Sequence, residues 1–194
     1  MGSYTVIADV GKTLQKLLRD NMTPEPIAEQ EMIGLCSPAD KPEYRLALYL
    51  YRIEEAAEFR STEMRNTGAG DLQYPPQNLY LYYLLTAYST AELKSRSVDE
   101  HRILGRAMQV LYDNPILRGS LLGGTLAQKD EELRIVSHKM SMDELNKIWN
   151  FAGVSYRLSV GYKVGPVAID STRTKKTRRV METEISVRGK KRNG

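Results

Sequence analysis

The sequence is poorest in the residues that most often carry chemistry, with 1 cysteine and 2 histidines among 194 residues. A lone Cys36 closes no internal disulfide, so nothing points to an oxidising compartment. Cys36, His101 and His138 are scattered without paired ligand spacing, whereas a tight zinc site draws on three or four ligands. Long hydrophobic runs are missing too. The longest stretch of apolar or tyrosine residues, Leu79 to Leu85, falls far short of the roughly 20 residues a membrane helix needs, so no membrane insertion is expected. The amino end, MGSYTVIADVGKTLQKLLRD, has no basic-then-apolar layout of a secretion signal, and the chain is expected to be intracellular. Phenylalanine and tryptophan are scarce, 2 and 1, against 12 tyrosines, all before the last 24 residues. Tyrosine combines apolar area with a polar tip, which suits sheet rims and wet interfaces.

What is present is an ordinary globular composition, 41% hydrophobic and 27% charged. The net charge of +4 hides an asymmetry: from Ser171 onward there are 9 Arg or Lys against 2 Glu, and before it 19 against 22 Asp or Glu. The basic character belongs to the tail. Ile7, Val10, Leu14, Leu17 and Leu18 recur at helical spacing, predicting an amphipathic helix over 4–21 that ends before Pro24 and Pro26. Met32 to Leu35 reads as a short strand. LALYLYRIEE (46–55) and NLYLYYLLTAY (78–88) read as strands apolar or aromatic on both faces, hence central and covered on both sides. Residues 65–76, RNTGAGDLQYPP, read as a loop. Two capping boxes, Ser97 to Glu100 and Ser141 to Glu144, predict helices running to about Asp113 and Trp149. Strands are expected over 132–137 and 154–164, the latter broken at Gly165-Pro166. The pattern predicts an α/β (α+β) fold. A single domain over 1–170 holds a mixed, mostly antiparallel sheet flanked by helices, and an extended C-terminal arm follows over 171–194.

Catalytic patterns are weak. Asp9-Val10-Gly11-Lys12-Thr13 has the ending of a phosphate-binding loop, but Val6 stands where the first glycine belongs, and helical periodicity would consume the backbone N–H groups. Gly123-Gly124 lacks the rest of a dinucleotide fingerprint and reads as a turn. Glu54, Glu55 and Glu58 offer a carboxylate pair in principle, though charges at a strand end are more often solvated. Cys36 has no histidine beside it in sequence. No nucleophile–base arrangement stands out, so the chain is expected to be neither an enzyme nor a cofactor binder.

The tail allows three readings: a solvated terminus, a nucleic-acid arm, or an arm that adds a strand to another sheet. Basic residues Arg173, Lys175, Lys176, Arg178 and Arg179 form one cluster, and Arg188 to Arg192 another. Between them lies VMETEISV (180–187), in which Met181, Thr183, Ile185 and Val187 alternate with Glu182, Glu184 and Ser186. No aromatic stands there to stack bases, and two glutamates are poor choices against phosphate. A lone strand must pair with something, so the expected role is docking onto a partner's sheet, with nucleic-acid binding the alternative.

Several segments, in order, carry a resemblance: SYTVIADVGKTLQKLLRDN, LCSPAD, LALYLYRIEE, NLYLYYLLTAY, LGRAMQVLYDNPIL, DELNKIWNF and SYRLSVGYKVGPVAID. Together, over about 3–170, they resemble the cap or tail-terminator proteins of extracellular contractile injection systems, which are phage-tail-like bacterial particles. The resemblance implies a structural α/β subunit that forms a homohexameric ring on the inner tube and sheath. Such a ring would be assembled in the bacterial cytoplasm and carried on the particle. It also implies that 180–187 enters the strand exchange of the last sheath layer, with no catalytic residue, metal or cofactor. The basic arm after Asp170 lies outside the segments that carry it.

Overall fold

The computed structural model describes residues 4–40, 43–68, 70–128, 132–151 and 153–176. These divide into two compact units: Met1–Ser61 with Pro76–Asp170, and Thr62–Pro75 with the described residues from Ser171 onward.

The larger unit is built on a six-stranded sheet of β1 (Ile33–Leu35), β2 (Leu46–Glu55), β5 (Gln77–Ala87), β8 (Ser159–Ile169), β7 (Leu133–His138) and β6 (Ile116–Leu117), in that spatial order, while β3 (Arg65–Asn66) and β4 (Asp71–Gln73) belong to the smaller unit. β1 runs parallel to β2, and every other pair is antiparallel. Three helices pack on this sheet, α1 (Val6–Met22), α2 (Leu93–Asp113) and α3 (Met142–Phe151).

Period-two alternation sorts the strand residues between two layers. Leu79, Leu81, Tyr83 and Leu85 of β5 join Leu46 and Leu48 of β2 in one buried cluster. Val10, Leu14 and Leu18 of α1 and Ile103, Ala107 and Leu111 of α2 complete it. On the opposite face Leu84 packs with Leu145 and Trp149 of α3, and Tyr49 and Tyr51 lie against them. β5 is therefore covered on both faces, as its sequence requires. β2 is so only at its start. Leu46, Ala47 and Leu48 are buried, while Arg52, Ile53 and Glu55 are exposed.

Three boundaries differ from the sequence expectation. α2 begins at Leu93, and its N-cap position, Glu92, makes no side-chain cap bond. Ser97 lies inside the helix, and Glu100, its side chain 18% exposed, accepts hydrogen bonds from Arg157 and from the Ser89 backbone. A tertiary partner has thus taken the glutamate that the capping pattern needed. β8 begins only at Ser159, leaving Tyr156 and Leu158 exposed, and it continues through Gly165-Pro166 to Ile169. There Tyr80 of β5 stands opposite both residues, a bulge that absorbs the proline. Gly165 has φ +131°, and a Cβ on it would lie 2.8 Å from the Leu79 carbonyl oxygen, so only glycine fits. The second capping box forms as written: Ser141 N donates to Glu144 at 2.8 Å, and Glu144 N donates to Ser141 Oγ at 3.2 Å.

The residues that imitate a phosphate loop hold the structure together instead. Asp9, 9% exposed, accepts hydrogen bonds from Thr125 N at 2.9 Å and Thr125 Oγ1 at 2.6 Å, and Thr5 Oγ1 donates from 3.3 Å. Thr13 accepts from Gly123 N at 3.1 Å. Gly124, at φ +59°, lets the backbone pass the carboxylate, since a Cβ there would sit 2.4 Å from it. Asp9 is thus a clamp between α1 and the 123–126 loop.

The Asp9 carboxyl is held below its ordinary pKa, first by the Thr125 hydroxyl and then by the Thr125 backbone N–H. Its contribution to stability is complete above the unfolded value near pH 4 and is lost as pH falls through the folded value. Asp9→Asn is expected to cost about 1.5–3 kcal/mol at pH 7 and to flatten the acid limb of the urea midpoint measured from pH 7 to 3. An unchanged acid limb would remove Asp9 from that role. Ser141→Ala should cost about 0.5–2 kcal/mol by urea titration, whereas Ser97→Ala, inside α2, should fall within about 0.5 kcal/mol of the parent.

Candidate interaction surfaces

The groups that might have formed a catalytic site go to separate partners. Glu54 is held below its usual range by the Tyr82 hydroxyl and by Arg52, Glu58 accepts from the Tyr80 hydroxyl at 2.8 Å, and Glu55 lies 3.8 Å from Arg60. No proton-sharing carboxylate pair results. Cys36 is half-buried, and burial, with Asp40 nearby, pushes its thiol up to about 11, away from nucleophilic use at neutral pH. His138 stacks edge-on to Tyr82 with centroids 4.9 Å apart, and His101 is exposed on α2. Among the described residues no group of three His, Cys, Asp or Glu comes together as a metal site.

The surfaces that remain are edges and grooves. β1 pairs with β2 only from Leu46 to Leu48, and Cys36 N adds one bond to Leu48 O. Beyond that point, Leu50 to Glu55 of β2 has no strand on its outer side among the described residues. An apolar groove of about 440 Å³ opens beside this edge, lined by Ile7 and Ala8 of α1, Leu35, Cys36, Leu50 and Tyr83. Tyr4, 85% exposed, stands at its lip. At the other end of the sheet β6 covers only Leu133 and Arg134 of β7. A wider groove, about 940 Å³, runs there between the end of α2 and β7, with Met108, Tyr112 and Val136 exposed in its wall.

The smaller unit is a three-stranded sheet, β3 (Arg65–Asn66), β4 (Asp71–Gln73) and β9 (Thr174–Lys176), with β4 in the middle. The stretch 65–76, expected to be a loop, thus carries two short strands. Its Gly and Asn residues make the tight turn, where Thr67 N and Oγ1 both donate to the Asp71 carbonyl. A basic segment far along the chain supplies the third strand, a pairing that no local pattern could announce. Lys175 pairs with Leu72 and Lys176 with Asp71, both lysines exposed on the edge strand. The Arg173 guanidinium sits 4.2 Å from the Tyr74 ring centroid, and Tyr74 N donates to the Arg173 carbonyl at 3.1 Å. Of the predicted arm residues, Arg173, Lys175 and Lys176 are therefore placed. Arg178, Arg179, Met181, Thr183, Ile185, Val187 and Arg188 lie outside the described residues.

This fold has solved relatives. One is the sheath/tube terminator of PVC, an extracellular contractile injection system, in its extended state. It is 21% identical, with a TM-score of 0.61 over 97% of this chain and 66% of that one. Another is the tube-terminating cap of the anti-feeding prophage, also 21% identical, with a TM-score of 0.62 over 93% of this chain and 61% of that one. The chain thus spans less than two thirds of each of these relatives. No curated protein sequence matches it. The model of the Pvc16 N-terminal domain matches residues 9–183, continuing past Asp170 through the first basic cluster. With that match across most of its length, the chain belongs to the Pvc16 N-terminal domain family.

Proposed function

We propose that this protein ends the inner tube and sheath of a contractile injection particle and fastens one to the other as a ring of six identical copies. The reading is carried by one observation: nearly the whole chain shares its fold with two proteins described as tube terminators. Its role is structural and asks for no cofactor. The copies are made in the bacterial cytoplasm and leave as part of the particle. The nucleic-acid reading draws no support from these relatives.

A terminator must match a growing end on one face and offer no propagating surface on the other, while head-to-tail contacts close it into a ring. Short edge strands suit that task. β1 and β6 occupy only the starts of their neighbours and leave limited lengths of β2 and β7 for chosen partners. Residues 1–170 form the body of the cap and 171–194 the arm, whose strand pattern at 180–187 pairs with a neighbouring subunit's sheet. Ordering a free arm costs roughly 2–5 kcal/mol, which several arms acting on one ring offset through effective concentration.

Electron microscopy of particles made without this protein tests the proposal. Tubes and sheaths of uncontrolled length, or sheaths that detach or contract early, are expected; particles of normal length and cohesion would overturn it. Removing 171–194 should abolish docking on the particle while the thermal unfolding of the remaining body stays cooperative. Docking that persists without the arm counts against its assigned role.

A further inference from the structure

The geometry points to the outer edge of β2, Leu50 to Glu55 beside the α1 groove, as the acceptor for the 180–187 strand of an adjacent copy of this chain. This rests on the terminator reading and deepens it, because it names both sides of a contact within the ring.

Four observations converge on it. First, the edge is open: six residues at about 3.3 Å each span roughly 20 Å, enough to pair about six of the eight donor residues. Second, the two faces match in kind. Across β2 and β5, Leu50 stands opposite Tyr83 and Ile53 opposite Leu81, both on the α1 side. A strand laid along this edge with Met181, Thr183, Ile185 and Val187 on that side would set them beside Leu50 and Ile53, with the one at the Leu50 end reaching the groove. At about 440 Å³ the groove is many times the roughly 30 Å³ of one water, so it takes side chains. Third, charge matches at one end: Glu54 and Glu55 close β2 and Glu58 follows, where one of the basic clusters bracketing 180–187 would come to lie. Fourth, Ile53, a large apolar side chain, is 46% exposed on this edge.

One sequence thus supplies both an alternating strand pattern at 180–187 and, among the described residues, an edge without a strand. A donor–acceptor contact between identical copies uses two different patches, so it repeats head to tail, which is the arrangement a ring requires.

Paired cysteine cross-linking tests this. In a Cys36→Ser background, one copy carries Ile53→Cys and a differently tagged copy carries Met181→Cys, Thr183→Cys, Ile185→Cys or Val187→Cys in turn. Both are full chains, assayed purified together and in isolated particles. Residues side by side on one face of neighbouring strands lie within disulfide reach. A disulfide between the two tags is expected at one or two adjacent in-phase positions, and none at Glu182→Cys or Glu184→Cys. Leu50→Lys, half-exposed at the groove, should reduce that cross-link to background while the unfolding midpoint shows the body still folded. Equal yield at glutamate and apolar positions, or none at any in-phase position in either preparation, would overturn the assignment. A cross-link formed by the purified chains would stand even if particles lacking the protein kept normal length, so failure of the terminator reading is read separately. Capture of the Ile53→Cys edge by a sheath subunit in particles, in place of the tagged copy, also counts against it.

Discussion

The physical constraint on which the structure depends is the double burial of β5. From Leu79 to Ala87 nearly every side chain is removed from water, alternately toward α1 and α2 or to the opposite face, where Leu84 meets α3. A strand apolar on both faces is stable only between two layers, and both of its backbone edges must be paired as well. β2 and β8 supply that pairing along most of its length. Once β5 is satisfied on all four sides, the helices can lie only on the faces, and exposed backbone is pushed to the outer strands.

The polar anchors follow from this layering. α1 must be held in place at its amino end, and Asp9 does so by accepting from the loop at Thr125, with Thr13 receiving Gly123 one turn later. α2 is tied by a different set. Arg45 bonds Asp99 and the Tyr88 carbonyl, Ser89 also bonds Asp99, and Arg157 reaches Glu100 while lying 5.0 Å over the Tyr88 ring. Such networks specify one docking of helix on sheet because a half-satisfied version is worse than none. They also occupy Asp9 and Thr13, the residues that spell the ending of a phosphate loop.

What is left for recognition is therefore edges, grooves and charge. The part of β2 without an outer neighbour among the described residues ends in glutamates, the sequence after Asp170 is basic around an alternating pattern, and Tyr4, Leu35, Met108, Tyr112 and Val136 are exposed apolar residues in the grooves beside β2 and β7. Main-chain pairing supplies affinity in such contacts and the alternate side chains supply register. This division suits a subunit whose work is to fit neighbours.

Local pattern by itself determined most of the elements. The 3.6-residue spacing in α1, the doubly apolar β5, the Ser141 box and the bipartite charge were all legible, because each rests on residues a few positions apart. Tertiary structure alone decided where those elements stopped and whom they met. α2 starts early because Arg157 and Ser89 claim Glu100, β8 passes Gly165-Pro166 because a bulge against Tyr80 absorbs the proline, and Thr174 to Lys176 becomes a strand because β4 offers it an edge a hundred residues away in sequence. A phosphate-loop spelling became a carboxylate clamp for the same reason. Hydrogen-bond partners brought from afar outweigh the few tenths to one kcal/mol by which local propensity favours one state, and a sequence read in windows contains no record of them.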